Sequence, residues 1–248
     1  MSTLKISSTG LIKNHQSSAS QLKKPLTESQ SDDISLQIET VSGKLINPTN
    51  PNAEAISIHD IAWSLSRQPR FAGHTITQTP YNVAQHSVYV ADLVLRILED
   101  KQLYATFLSD ISDVTDDHLF SIDTDEMKSL YLKALLHDGH EAYTGDIPSP
   151  IKRIPELTET LKLMEMKLDH AIRTKFELEE LTASEKILIK YADKLAQAIE
   201  AYQFMPSRGL NWNLPKPSLT MLQQFPAPLS PMESYDRFIK AYNSASKP

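Results

Sequence analysis

Apolar residues recur at helical spacing over most of the chain. Between 83 and 99 they follow one another at three- and four-residue steps, which predicts a strongly amphipathic helix. The same spacing predicts further helices from Ile58 to near Pro69 and over 127–143, 155–177, 183–203 and 232–243. Glycine and proline break the chain into a loop over 69–82, and the proline-rich stretch 215–231 is typical of a connection. We therefore expect an all-α bundle.

The N-terminal part of the chain has a different pattern. Residues 1–32 are rich in Ser, Thr, Lys and Gln, a composition typical of a disordered tail. Apolar residues then alternate with polar ones from Ile34 to Ile38, and a second short apolar run follows Ser42-Gly43, which together predict a small β-hairpin. After this hairpin the predicted helices form one domain, so that 33–248 is expected to be a single unit.

Composition excludes several classes of protein. The 248 residues contain no cysteine, which rules out a disulfide scaffold, a thiolate zinc site and a cysteine nucleophile. A net charge of −6 argues against binding to a nucleic acid polymer, although it allows a local basic pocket for a phosphate. Apolar runs are short and the first residues lack the apolar core of a signal peptide, so we expect a cytoplasmic protein that does not bind membranes.

Four polar residues interrupt the apolar faces of three predicted helices. They are His86, the adjacent pair His137-Asp138, and Asp193. Each continues a row of apolar side chains, so folding is expected to bury it, and buried imidazoles and carboxylates need partners. One divalent cation satisfies all four, and mixed nitrogen and oxygen ligands suit Mn, Co, Fe, Ni or Zn. Taken singly, the same residues are also compatible with a surface or capping histidine, a chance His-Asp pair and an aspartate–lysine ion pair.

Two further acids follow the His-Asp pair. Glu141 lies one helical turn beyond it on the same predicted face, where its carboxylate reaches a metal-bound water without ligating the metal. Asp146 stands in the proline-fixed loop that follows, Thr144 to Pro150. Ordinary helix termination explains the glycine and prolines of that loop but not the second acid.

These residues resemble a known family. The order His86, His137-Asp138, Asp193 is similar to the H…HD…D signature of the HD-domain metal phosphohydrolases. The run His-Asp-Gly-His-Glu-Ala-Tyr-Thr-Gly-Asp-Ile-Pro-Ser-Pro-Ile-Lys at 137–152 resembles the 5′-deoxynucleotidase branch of that superfamily, as does Arg70-Phe71 upstream of the first histidine. The similarity covers about 56–202.

The resemblance implies an HD-domain helical bundle with one divalent metal ion, such as Mn, Co, Zn or Mg. It assigns the metal to His86, His137, Asp138 and Asp193. It makes Glu141 the catalytic acid/base, with Asp146 assisting near the leaving group. It also implies a substrate-binding set, in which Arg70 orients the phosphate and the nucleoside pocket is lined by Phe71, Asp146, Ile147, Pro148 and Ser149.

The chain departs from the pattern of this branch in three places. Phe71 stands where the family usually has tryptophan, which leaves the base and sugar preference open. Gln85 precedes the first histidine where glutamate is common. The acidic stretch 100–125 between the ligand-bearing helices is long, and a short helix with an excursion that narrows the pocket is one interpretation of it.

Other charged residues near the motif have weaker interpretations. His140 is expected to act on the substrate side or behind the ligands, rather than as a plain surface residue. His170 is the one residue that could suggest a second metal ion, which is little evidence for a second site. His74 is expected to be an exposed residue of the loop beside Arg70, rather than a phosphate contact. Lys152 and Arg153 are equally compatible with solvent-exposed charges and with contacts to the additional phosphates of a triphosphate.

The reaction implied is hydrolysis of a (deoxy)nucleoside 5′-monophosphate to nucleoside and phosphate by a homo-oligomeric enzyme. A deoxynucleoside triphosphate phosphohydrolase is the nearest alternative. A dinuclear-iron HD oxygenase and a nucleotide-sensing module without turnover are more distant ones.

Overall fold

A computed structural model describes residues 34–111 and 123–246 as an all-α bundle with a minor hairpin. The predicted tail at 1–32 and the centre of the predicted excursion lie outside these residues. The helices are α1 Ile58–Leu65, α2 Val83–Glu99, α3 Lys101–Asp110, α4 Thr124–Leu135, α5 Glu141–Thr144, α6 Ser149–Lys152, α7 Pro155–Lys175, α8 Ala183–Phe204, α9 Leu219–Gln224 and α10 Pro231–Ala245.

The centre of the bundle is α2, which packs against α3, α4, α8 and α10. A helix surrounded in this way must be apolar on most of its circumference, and the residues of α2 from Val83 to Ala91 are all buried. Its start is fixed by Asn82, whose side chain accepts a hydrogen bond from the backbone N–H of Gln85. The first turn of α2, which carries His86, therefore has a defined position in the core.

Helix α8 is held at its N-terminus by a capping box. The side chain of Thr182 accepts from the N–H of Glu185, while the Glu185 carboxylate accepts from the N–H of Thr182. Along its length α8 packs on α2 and buries one long face, which brings Asp193 towards the first turn of α2.

The predicted helix over 127–143 is wrong at its C-terminal half. Helix α4 begins at Thr124, capped by Asp123, but it ends at Leu135, and the chain passes through tight turns before α5. Gly139 lies in these turns, where an added Cβ would stand 3.0 Å from the Leu136 carbonyl oxygen and 3.2 Å from Ile172 of α7. His137 and Asp138 therefore lie in a turn packed against α7, and not on a continuous helix.

Smaller differences occur at the hairpin and in the connections. The strands β1 Ile38–Glu39 and β2 Leu45–Ile46 pair antiparallel, but Ile34–Leu36 forms a 3₁₀ turn where extended chain is predicted. The predicted connection 215–231 contains the short helix α9. None of the helices described in 34–111 and 123–246 combines the length and apolar character needed to cross a bilayer.

Candidate metal centre

Residues from three parts of the fold converge beside the first turn of α2. Nitrogen or oxygen atoms of His86, His137 and Asp193 all lie within 4.8 Å of one another, a spacing at which they can hold one metal ion. Asp138 joins them, because its Oδ2 lies 3.1 Å from Nε2 of His137 and 3.5 Å from Nε2 of His86. The structure thus brings His86, His137 and Asp193 into one group and places Asp138 against its two histidines.

Each imidazole is held through the nitrogen that faces away from this group. Nδ1 of His86 donates to Oε1 of Glu200 at 2.6 Å, and Nδ1 of His137 donates to the Ala134 carbonyl oxygen at 2.8 Å. Because each Nδ1–H is used in a hydrogen bond, a neutral ring directs the lone pair of its Nε2 towards the other candidate ligands. Both Nε2 atoms are buried and make no hydrogen bond within the described part of the chain. Buried, bare imidazole nitrogens beside carboxylates fit a divalent cation.

The pKa values of Asp138 and His86 show that these side chains favour a positive charge beside the carboxylates. Burial raises the pKa of Asp138, but the neighbouring His137 and His86 outweigh burial and hold this pKa well below its usual range. The pKa of His86 is raised well above its ordinary value: burial and Arg70 lower it, while Glu200 and the nearby carboxylates of Asp138 and Asp193 raise it. Both shifts favour positive charge beside these carboxylates, which a divalent cation would also supply.

Arg70 lies at the edge of this cluster. Its Nη1 is 3.8 Å from Oδ2 of Asp138, and its Nε donates to Oε2 of Glu200 at 3.0 Å. The side chain is one-tenth exposed, so the guanidinium is nearly enclosed yet reaches the candidate ligands. An arginine held in this way can offer its remaining N–H groups to phosphate oxygens.

The candidate acid/base is close to the same charges. Glu141 is buried at the first position of α5; its Oε1 is 3.6 Å from Nζ of Lys152, and its Oε2 makes no hydrogen bond within the described residues. Burial first, and then the charges of Asp138 and Asp146, raise the pKa of Glu141 to about 8. A carboxyl group with a pKa near neutrality can both give and take a proton.

The loop after α5 carries the other predicted site residues. Gly145 has φ +78, a left-handed conformation that favours glycine, and it turns the chain away from α5. Asp146 is partly buried, and its pKa is raised by burial, opposed by Arg70 and assisted by Asp138, which places it within electrostatic reach of the cluster. Ile147 and Pro148 are half-buried, whereas Ser149 is exposed at the start of α6.

Phe71 pairs with an aromatic residue that the sequence analysis missed. Its ring centroid is 5.8 Å from that of Trp212 and 5.6 Å from the guanidinium carbon of Arg70. Phe71 has φ 56 and Ala72 has φ 51, so two consecutive non-glycine residues adopt the strained left-handed conformation. Strain of this kind is concentrated at binding and catalytic sites.

The remaining histidines are placed differently. His140 is buried and its Nδ1 donates to Asp169 at 2.9 Å; burial lowers its pKa, but the hydrogen bond and charge of Asp169 raise it to about 9. His140 thus joins the start of α5 to Asp169 of α7. His170 and His74 are both exposed, and neither belongs to the His/Asp group around His86.

Glu200 is the other residue beside the cluster that was not singled out from sequence. It follows Asp193 by two helical turns, and its carboxylate is fully buried on α8. An acid on an otherwise apolar face, between Ile199 and Ala201 and in register with Asp193, is the signal that identifies it. Burial raises its pKa, but Arg70 and His86 outweigh burial and keep this pKa below its ordinary value.

Comparison with known proteins agrees with this arrangement. The family model described as 5′-deoxynucleotidase YfbR-like matches residues 65–208, a range that includes every residue of the cluster. The uncharacterized protein YfdR of Escherichia coli K12 is 32% identical over 212 residues, which cover 85% of this chain and 96% of the relative. An uncharacterized protein of Rhodobacter capsulatus is 28% identical over 164 residues, covering 66% of this chain and 70% of the relative. The chain belongs to the YfbR-like 5′-deoxynucleotidase family of HD-domain proteins.

Proposed function

We propose that this protein is a divalent-metal-dependent phosphohydrolase that converts (deoxy)nucleoside 5′-monophosphates to nucleoside and phosphate. The observation that carries the proposal is the pair of buried, bare Nε2 atoms of His86 and His137 beside two carboxylates, with the Arg70 guanidinium at their edge. Membership of the YfbR-like family supports HD-type phosphohydrolase chemistry in general. The monophosphate substrate is the specific part of the proposal.

His86, His137, Asp138 and Asp193 would hold the metal ion. When bound, the ion supplies a water of lowered pKa and neutralises charge on the phosphoryl oxygens. Arg70 binds the same phosphate through the N–H groups that Glu200 does not occupy, which compensates the negative charge that develops during attack.

Glu141 and Asp146 carry out the proton transfers of the reaction in this proposal. Oxygen of the attacking water bonds to phosphorus, the bond from phosphorus to O5′ breaks, and O5′ must gain a proton as the water loses one. In its ionised form Glu141 accepts the proton of the water at Oε2 and then gives a proton to O5′, since a pKa raised to about 8 lets the group both take and give a proton near neutral pH. Asp146, whose pKa is also raised, assists at the departing O5′.

The nucleoside is bound beside Arg70. Phe71 and Trp212 form an aromatic pair next to the guanidinium, and both rings are partly exposed. Because every base has a π-face, such a pair binds bases by stacking with little discrimination among them. The loop residues Asp146 to Ser149 complete the pocket in this proposal.

A deoxynucleoside triphosphate phosphohydrolase is the second candidate, and Lys152 is the observation in its favour. Its partly exposed ammonium lies 2.9 Å from the carboxylate of Glu165 and 3.6 Å from that of Glu141, and a contact from it to a further phosphate would favour this substrate. The two reactions differ in their inorganic product, which is phosphate in one and triphosphate in the other.

One panel tests the proposal. Purified protein is assayed with Mn, Co, Mg and Zn, each crossed with all nucleoside and deoxynucleoside mono- and triphosphates, and the inorganic products are identified. We expect orthophosphate from monophosphates with at least one metal. Triphosphate release supports the second candidate, and no release from any combination overturns both.

A further inference from the structure

Glu200 is a buried carboxylate whose two oxygens have different partners. Oε1 accepts from Nδ1 of His86 at 2.6 Å, and Oε2 accepts from Nε of Arg70 at 3.0 Å. The side chain is completely enclosed, so each of these hydrogen bonds is made without competition from solvent. One residue of α8 therefore contacts both a candidate metal ligand and the candidate phosphate-binding arginine.

We propose that Glu200 is a positioning residue that couples the metal centre to the phosphate-binding arginine, holding His86 ready to ligate and Arg70 ready to bind phosphate. The inference rests on the proposed function, since it assumes that His86 binds metal and that Arg70 binds the phosphoryl group. Glu200 itself touches neither metal nor substrate.

The effect on His86 follows from the hydrogen bond to Nδ1. An imidazole that donates Nδ1–H to a carboxylate presents Nε2 to its metal, and the carboxylate fixes the plane of the ring and increases the basicity of Nε2. His86 has no other hydrogen bond within the described residues that would set its orientation. Its orientation therefore depends on Glu200.

The effect on Arg70 follows from which nitrogen is used. Glu200 accepts a hydrogen bond from Nε of Arg70 and leaves both terminal nitrogens for contacts with a phosphate. Nη1 lies 3.8 Å from the carboxylate of Asp138. The guanidinium is planar, so fixing Nε also fixes the directions of the other N–H groups. A single contact thus directs the bidentate face of Arg70 towards the candidate metal site.

The carboxylate cannot be replaced by its isostere. Glutamine has one acceptor oxygen and one NH₂ group where Glu200 has two acceptors. If its oxygen accepts from His86, the NH₂ group faces the Nε donor of Arg70. If it accepts from Arg70, the NH₂ group faces Nδ1 of His86 and favours the tautomer in which Nε2 carries the proton. Either orientation disturbs one of the two functions without changing the volume of the side chain.

The test compares E200Q with wild type and with D60N, using binding measurements that need no turnover. Asp60 is another buried acid, but it accepts from the backbone and hydroxyl of Ser42 on the N-terminal hairpin, so D60N controls for loss of a buried charge. Calorimetry measures the Kd of Mn²⁺ for the metal-free protein and the Kd of inorganic phosphate for the Mn-loaded protein.

We expect E200Q to raise the Mn²⁺ Kd, the phosphate Kd or both by 10-fold or more, while D60N leaves both within about 2-fold of wild type. A folded E200Q with both constants unchanged overturns the inference and leaves the proposed function standing. A wild-type protein that binds no divalent metal overturns both.

A double variant keeps the test decisive if E200Q fails to fold because Arg70 is left as an unpaired buried charge. R70Q/E200L removes both charges, and it leaves Nδ1 of His86 without any acceptor at position 200. We expect at least 10-fold weaker Mn²⁺ binding by this variant than by R70Q alone. Equal Kd values for R70Q and R70Q/E200L contradict the inference.

Discussion

The imidazole rings of His86 and His137 face one another across the centre of the bundle, with centroids 5.3 Å apart and planes inclined by 54°. One ring comes from the first turn of α2 and the other from the turn that follows α4. Both rings are held at Nδ1, and their Nε2 atoms lie close to carboxylates, at 3.2 Å from Asp193 for His86 and 3.1 Å from Asp138 for His137. If these atoms bind a metal ion, replacing them has measurable consequences.

Replacing a candidate ligand should abolish metal binding. We expect H137A and D193A to bind no Mn²⁺ at concentrations that saturate wild type, so that adding Mn²⁺ no longer raises their Tm. The exposed His170 provides a matched control, and H170A should show the wild-type rise in Tm. A rise of wild-type size in both H137A and D193A would exclude this cluster as the metal site.

Replacing Glu141 should separate catalysis from metal binding. E141Q should lower kcat by about 10²- to 10⁴-fold, because the amide cannot accept a proton from water. Its Mn²⁺ Kd should stay within a few-fold of wild type. The exposed Glu180, which pairs with Arg173, supplies the control variant E180Q with wild-type kcat. Turnover by E141Q equal to that of wild type would show that Glu141 is not the acid/base.

The raised pKa of Glu141 also predicts how metal-free stability changes with pH. Burial raises this pKa to about 8 in the folded protein, above the value of about 4.3 expected for an unfolded chain. Between these two values the folded state binds more protons than the unfolded state, so this group makes stability fall as pH rises.

E141Q has no carboxyl group at this position, so it should lose less stability than wild type between pH 5 and 8. Since one pKa unit corresponds to about 1.4 kcal/mol, we expect the two free energies of unfolding to diverge by more than about 1 kcal/mol over this range. Urea unfolding of both proteins with a chelator present measures the divergence. Parallel pH profiles would show that the Glu141 carboxyl titrates normally.

Trp212 should contribute to nucleotide binding and not to hydrolysis itself. Base stacking on an aromatic side chain is worth about 1–3 kcal/mol, so W212A should raise KM for a nucleoside monophosphate by roughly 5- to 160-fold. It should leave KM for p-nitrophenyl phosphate, which has no nucleobase, close to wild type. The chain has one other tryptophan, Trp63, which packs on Tyr235 and Arg67, so W63F is the control. Equal increases in KM for both substrates would argue for general disruption.

The helices that could be predicted from sequence are those in which apolar residues recur every three to four positions along the whole helix. Helix α2 has the predicted bounds, and α8 agrees to within one residue, because their buried faces impose regular spacing. The end of α4 could not be predicted in this way. The row of Leu130 and Ala134 continues past Leu135 at helical spacing only through polar residues, and the break depends on the close approach of Gly139 to α7, which is a tertiary contact.

The same distinction applies to the site. His86 and Asp193 can be identified because each interrupts the apolar face of a helix, and His137 because it follows Leu130 and Ala134 at helical spacing although it lies in a turn. Glu200 and Trp212 were missed because their significance depends on partners far away in the chain: Glu200 is separated from His86 by 114 positions and from Arg70 by 130. Such pairs become visible only when α2 and α8 are packed together.

The most direct test of the metal centre is an anomalous difference map from a crystal of the protein soaked in Mn²⁺. The account predicts one peak for each chain, within bonding distance of Nε2 of His86, Nε2 of His137 and the carboxylates of Asp138 and Asp193. A map with no peak among these four side chains, or with its peak at another set of ligands, would contradict it.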